Sequence, residues 1–301
     1  MDVTPRSRAE TFLLATTLIW GGTFVAMKIG LTGMSAMMLI ALRFTIAAFV
    51  FLLFLSRKIF PISQTAAKKG ALLGVILFLG FVAQTTGLYY TSASKSSFIT
   101  SMMVVFAPFL QVVLERRPPT VGNLLGVLII CVGLWFLTSP AGSEMNVGDV
   151  LTLVCSILFG LYIVYLDIIS KEIGAFQLTF LQVATCALLA WTVIGVVETP
   201  TFEFSLSSLA ALGYLTVFAT LLTTTIQTAY QKDTTPTRAA IIFTIEPVFA
   251  CIFAFLVLGE NIGGWGFLGG TLIISGVLLS ELSDSLPGLS RPAYARVERP
   301  E

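Results

Sequence analysis

There is no histidine in the 301 residues, which removes the commonest general base and the commonest metal ligand together. Charge is nearly as scarce: Asp, Glu, Lys and Arg make up 11% of the chain, where a soluble domain averages about a quarter. The four cysteines, Cys131, Cys155, Cys186 and Cys251, form no C-x-x-C pair and all fall in apolar stretches. They read as small buried residues, with neither a disulfide framework nor a metal site supported. The net charge of +1 gives no basis for nucleic-acid binding. Lacking a base beside a nucleophile, paired deep acids or a metal cluster, the chain is not expected to be an enzyme, and no catalytic residue or cofactor is assigned.

What the chain has instead is apolar length. Hydrophobic residues make up 56% of it, with a mean hydropathy of +0.94. Ten runs, near 11–29, 35–55, 70–90, 97–114, 120–138, 148–167, 175–197, 208–230, 239–258 and 263–281, approach the roughly 20 residues a helix needs to cross a bilayer. They are near-continuously apolar instead of alternating, so barrel strands are excluded. Arg6 and Arg8 before the first run mimic a secretory signal, but that run continues through Gly21 and Gly22 to Lys28. This predicts an uncleaved first helix.

Charge sets the orientation. With the N-terminus in the cytoplasm, all but three of the 17 basic residues fall on inner segments, among them Arg57, Lys58, Lys68, Lys69, Arg116, Arg117, Lys171, Lys232 and Arg238. The outer loops then hold Glu144, Asp149, Glu198, Glu203 and Glu260. Both termini are expected inside.

The two halves also match at a fixed offset of 139: Gly21 with Gly160, Gly74 with Gly213, Thr85 and Thr86 with Thr224 and Thr225, Pro108 with Pro247. After the prolines the offset is 143, Gly126 with Gly269 and Gly133 with Gly276, which predicts a fourth helix about one turn shorter than the ninth. Five spans per half is an odd number, so the second half enters the bilayer from the opposite side. The expected fold is an all-α integral membrane protein, ten transmembrane helices in two inverted five-helix repeats, at 11–140 and 145–283. A cytoplasmic segment, 1–10, precedes them and a cytoplasmic tail, 284–301, follows. Such duplication with inversion is the architecture of many secondary transporters, with substrate near the midplane between the repeats.

Three motifs add a resemblance: WGGTFVAMKIG in the first helix, Leu42-Arg43-Phe44 in the second, and TIEPVFACIFAFLVLGE from Thr244 to Glu260. On these the chain resembles the EamA-type family of the drug/metabolite transporter superfamily over roughly residues 11–283. The resemblance implies a bacterial inner-membrane carrier, often an exporter of amino acids or other small metabolites. It also implies a central cavity, with helices five and ten peripheral. Where the second repeat has Leu258-Gly259-Glu260, the first has Leu114-Glu115-Arg116-Arg117-Pro118-Pro119, a departure at the inner end of helix four.

Candidate site residues are polar groups deep inside spans. Trp20 lies far from the interfaces where Trp135, Trp191 and Trp265 sit. Gly21 and Gly22 beside it serve either close helix packing or a bend, and Thr23 adds a hydroxyl. Arg43 and Glu246 are the deep charges; each costs about 2.5–3.5 kcal/mol at mid-bilayer and therefore needs protein or water around it. They could pair with each other, pin helices, bind substrate or, for Glu246, couple protons. Pro247, and Pro108 at the matching position, mark hinges. Gln84, Tyr162, Thr224 and Gln227 complete the substrate-binding set, with interhelical hydrogen bonding as the other use of such side chains.

Ser94-Lys95-Ser96-Ser97 reads as a helix cap and turn. Gly122-x3-Gly126 and Gly266-x3-Gly270 read as packing seams or weak dimer faces. The expected partners are a small-molecule substrate and the lipid bilayer, for a monomer or weak homodimer. The leading function is export of amino acids by alternating access; the others are import or facilitation of a neutral solute such as a sugar, a channel, or a sensor.

Overall fold

A computed structural model describes residues 4–116, 118–138, 146–260, 263–283, 286 and 288–292. Glu144, Arg117 and most of the expected tail lie outside the described residues. Among those described there is no β-strand, only isolated bridges pairing Met34 with Phe202 and Thr120 with Pro292. The chain is an all-α membrane protein with eight helices long and apolar enough to cross a bilayer, plus two shorter apolar helices, Val121–Phe136 and Phe267–Ser280.

Helix α1 (Pro5–Gly30) starts earlier than the apolar run because Thr4 caps it, accepting from the Ser7 amide, with Pro5 in the first turn. Next come α2 (Ala36–Ile59) and α3 (Gln64–Gly87). The fourth span is α4 (Ala93–Ser101) and α5 (Met103–Glu115), separated at Met102. Helix α6 (Val121–Thr138) closes the first half. In the second half α7 (Val147–Ile169) and α8 (Ala175–Val197) are regular. The next span is composite: α9 (Leu206–Thr216), a π-helical turn at Val217–Leu222, then α10 (Thr223–Tyr230). Helices α11 (Pro236–Phe243) and α12 (Glu246–Phe253) follow, ending in a second π segment at Ala254–Leu258. Last is α13 (Gly263–Leu282).

One expectation is corrected here. The fourth and ninth spans are of equal length, Ala93–Glu115 and Pro236–Leu258, both 23 residues. The four-residue change of offset therefore moves Pro108 about one turn deeper along its span than Pro247 rather than shortening the helix. Pro247 sits in the first turn of α12, just past a break at Thr244–Ile245, whereas Pro108 is interior to α5. Helix α1 runs unbroken through Gly21-Gly22. A Cβ on Gly21 would lie 2.5 Å from the Cβ of Phe249 and 3.0 Å from the Ala250 amide nitrogen, and one on Gly22 would lie 2.5 Å from the Tyr214 hydroxyl. In this structure the pair is a seam that lets α12 and Tyr214 meet the backbone of α1.

Packing is dominated by contacts between halves: α2 with α8, α3 with α7 and α8, α1 with α9 and α12, α5 with α7, and α6 with α13. In the last pair glycines oppose glycines. A Cβ on Gly126 would lie 2.8 Å from the Gly276 carbonyl, one on Gly276 would lie 2.8 Å from the Gly126 carbonyl, and one on Gly133 would meet the Gly269 carbonyl at 2.8 Å. On α13 the seam holds Gly269, Gly276 and Ser280, whereas Gly270 faces Val248; the surroundings of Gly266 lie outside what is described.

Carboxylates tie the helix ends opposite the N-terminus. Glu198 accepts from the Met37 amide at 2.9 Å and the Met38 amide at 3.3 Å. Glu260 accepts from the Ala93 and Ser94 amides, both at 3.2 Å, and from the Ser94 hydroxyl. Each satisfies helix-start donors in the other half of the chain. The cap of α4 is Ser92, not the expected Ser94–Ser97 group. Lys95 pairs at 2.7 Å with Asp149, whose side chain is fully buried.

Candidate functional site

One cavity, with a volume of about 70 Å³, is lined by Trp20, Thr23, Arg43, Gln84, Tyr162, Thr224, Gln227 and Glu246. All eight residues chosen for their depth thus share one chamber. Leu77, Phe81, Met103, Phe159, Ile163 and Phe243 supply apolar wall, and Thr100 and Ala219 complete the lining. Apolar walls with a few placed polar groups are the usual composition of a small-molecule site.

The two deep charges are held very differently. Arg43 is 3% exposed. Its Nε donates to Thr220 Oγ1 at 2.5 Å and its Nη2 to the Ala219 carbonyl at 3.0 Å. The guanidinium carbon also lies 4.6 Å from the Phe81 ring centroid and 5.3 Å from that of Phe44, a geometry for cation–π attraction. The carbonyl is available because of the π turn. The Thr223 amide donates to Phe218 rather than to Ala219, so the ladder skips one acceptor. Thr220 Oγ1 in turn donates to the Leu215 carbonyl at 2.8 Å, five residues back.

Glu246 is 7% exposed, and among the described residues its carboxylate takes part in no hydrogen bond or ion pair. The mutual pair with Arg43 that the two depths allowed is not formed. Glu246 follows the break at Thr244–Ile245 in the first turn of α12, where the helix dipole favours a negative charge; the Val248 and Phe249 amides are taken by the Ile245 carbonyl.

Five of the remaining six polar groups, all but Thr224, are aimed by one bond each. Trp20 Nε1 donates to Thr223 Oγ1 at 2.9 Å, and the indole meets Phe243 edge-on at 5.0 Å. Thr23 turns its hydroxyl back to the Trp20 carbonyl at 2.6 Å. Tyr162 donates to Gln182 at 2.6 Å. Gln84 donates to Thr100 at 3.3 Å. Gln227 donates to Gln231 at 2.9 Å, and Gln231 to the Ile163 carbonyl at 2.7 Å. Thr220, Ala219, Gln182 and Gln231 support the chamber without having been singled out beforehand. A usable signal existed only for Gln182, which lies inside an apolar run; Gln231 falls just past the end of one.

With this geometry in hand, relatives can be compared. The sequence profile of the EamA-like transporter family matches residues 7–139 and again 146–282. The chain belongs to the EamA-like transporter family. An uncharacterized transporter of Archaeoglobus fulgidus is 34% identical over 277 residues, spanning 92% of this chain and 87% of that protein. The uncharacterized inner membrane transporter YedA of Escherichia coli is 25% identical over 285 residues, spanning 91% and 90% respectively. The uncharacterized transporter YoaV of Bacillus subtilis is 24% identical over 284 residues, spanning 91% and 96%. A protein of known crystal structure superposes with a TM-score of 0.77 over 92% of this chain and 97% of its own, at 16% identity; that likeness speaks to fold alone. The protein is thus a multi-pass membrane protein of a transporter family.

Proposed function

We propose that the protein is a secondary transporter that moves a small zwitterionic metabolite, an amino acid or a close relative, out of the cell by alternating access. The observation that carries this reading is the cavity's pair of opposite charges. Arg43 and Glu246 line one chamber without bonding to each other, so a ligand carrying a carboxylate and an ammonium group can meet both. Arg43 offers a charge-assisted donor for the carboxylate. Trp20, Thr23, Gln84, Tyr162, Thr224 and Gln227 form the rest of the binding surface, and Glu246 is the group that exchanges a proton.

Ten spans in two inverted repeats, 11–140 and 145–283, are part of this reading. It is supported by the twofold profile match and by the exchange pattern of packing, in which α1 against α12 is answered by α5 against α7, and α2 meets α8. Pro108, Pro247 and the Gly21-Gly22 seam are the positions about which the two arrangements interconvert. Basic residues at the helix ends of the N-terminal face favour both termini in the cytoplasm, and a relative named as an inner membrane transporter favours that membrane. The mutual burial of the α6 and α13 glycines favours a monomer over a dimer through those faces.

Counterflow in proteoliposomes tests the proposal. Protein is loaded with one unlabelled amino acid, sugar or amine at a time and offered labelled tracer. Saturable accumulation confined to amino acids supports it; accumulation of sugars alone, or flux that never saturates, overturns the substrate class or the carrier mechanism respectively.

A further inference from the structure

A second cavity, with a volume of about 430 Å³, lies at the helix ends of the N-terminal face and is separate from the central chamber. Arg6, Lys171, Lys232 and Arg238 line it, against Asp233 as the single lining carboxylate. Arg6 is in the first turn of α1, Lys171 just past the end of α7, Lys232 at the end of the Leu206–Asp233 span, and Arg238 in the first turn of α11. All four therefore sit where spans leave the hydrocarbon, at the depth of lipid headgroups.

Some of this charge is answered from behind the wall. Glu10 accepts from Arg6 at 2.8 Å and from Arg238 at 3.2 Å, and Asp167 accepts from Lys171 at 2.5 Å. Lys232 is exposed and has no acceptor among the described residues. The backbone offers no anion nest here. The Thr237 amide is taken by Gln111, that of Arg238 by Thr235, and those of Val121 and Gly122 by the carbonyls of Arg291 and Leu289. The Thr120, Thr234 and Thr237 hydroxyls donate to Asn123, Glu10 and Gln111, so what remains is side-chain charge, foremost that of Lys232, beside the Thr235 hydroxyl, which suits a phosphate oxygen.

We propose that this pocket binds a phosphate group, that of an anionic phospholipid headgroup in the leaflet it faces. Basic pockets between membrane helices on the positively charged side are suited to such headgroups, each nearby Lys or Arg contributing about 1 kcal/mol. The site is independent of the transport reading and stands or falls separately from it.

The test titrates phosphatidylglycerol, phosphatidylcholine or inorganic phosphate into the detergent-solubilised full chain and follows the thermal midpoint. Phosphatidylglycerol should raise the midpoint saturably and phosphatidylcholine should not. Lys232→Gln should weaken half-saturation about fivefold, and Lys232→Glu should abolish the gain. Lys68→Glu, a charge reversal on the same face outside the pocket, should leave it unchanged. No saturable gain, or the same response in all variants, overturns the proposal. Saturation by inorganic phosphate with the same Lys232 dependence, and none by lipid, upholds the phosphate site but overturns the lipid as its source.

Discussion

Arg43 and Glu246 occupy the same chamber at comparable burial, yet one is held by several partners and the other, among the described residues, by no hydrogen bond or ion pair. Arg43 has a hydroxyl, a carbonyl and two aromatic rings around it. Supplying that carbonyl required a change in the backbone: the matching span in the first half, Gln64–Gly87, is a continuous α-helix, while the second-half span widens at Val217–Leu222. The lesson is a division of labour. A charge fixed by several partners is a permanent feature of the chamber, whereas a carboxylate with none can gain or lose its proton without breaking a protein contact.

The comparison breaks most visibly at the free charge. Glu246→Gln should remove the response of flux to an imposed pH gradient while leaving saturable counterflow measurable, since the amide keeps the shape of the side chain. If flux in the variant still follows the gradient, the proton is carried elsewhere. Next in size is the anchor. Thr220→Val keeps volume and deletes the hydroxyl that accepts from Arg43, a loss of about 1–2 kcal/mol for a hydrogen bond to a charge in this setting, or roughly 5–30-fold in half-saturation for substrate. Thr220→Ser should restore most of it, and equal half-saturation in Val and Ser variants would remove Thr220 from the positioning of Arg43.

Smaller effects come from the seam that brings the halves together. Gly21→Ala forces a methyl against the backbone of α12, so it should cost about 1–3 kcal/mol of stability, read as a lowered thermal midpoint. Gly22→Ala meets only the tip of Tyr214, which can swing aside by giving up its 2.6 Å bond to the Ile19 carbonyl. Its cost should be about 1 kcal/mol. Gly174→Ala, with open space around the site, should leave the midpoint unchanged, and a reversed order among these three would contradict the packing described for α1.

Much of this was legible in the chain because polar residues are expensive in a bilayer. Trp20, Arg43, Tyr162, Gln227 and Glu246 stand out against apolar neighbours by depth alone, and they share the cavity. Gly21-Gly22 could be read as seam or hinge, and the neighbours Phe249 and Tyr214 that make it a seam are visible only in the structure. The π turn left no trace: Val217-Phe218-Ala219-Thr220-Leu221-Leu222 has nothing to mark a skipped hydrogen bond, which depends on what Arg43 demands from across the interface. The reach of Glu198 and Glu260 to helix starts in the other half was hidden for the same reason. Both carboxylates looked like loop charges, and their acceptor role depends on a tertiary neighbour.

The most direct test of the central contrast is substrate-driven proton movement in proteoliposomes, followed with an internal pH-sensitive dye for the wild type and Glu246→Gln side by side. The predicted result is proton flux on adding substrate in the wild type and none in the variant, with counterflow retained in both. Equal proton flux in the two, or none in either while counterflow proceeds, would contradict the assignment of Glu246 as the exchangeable charge.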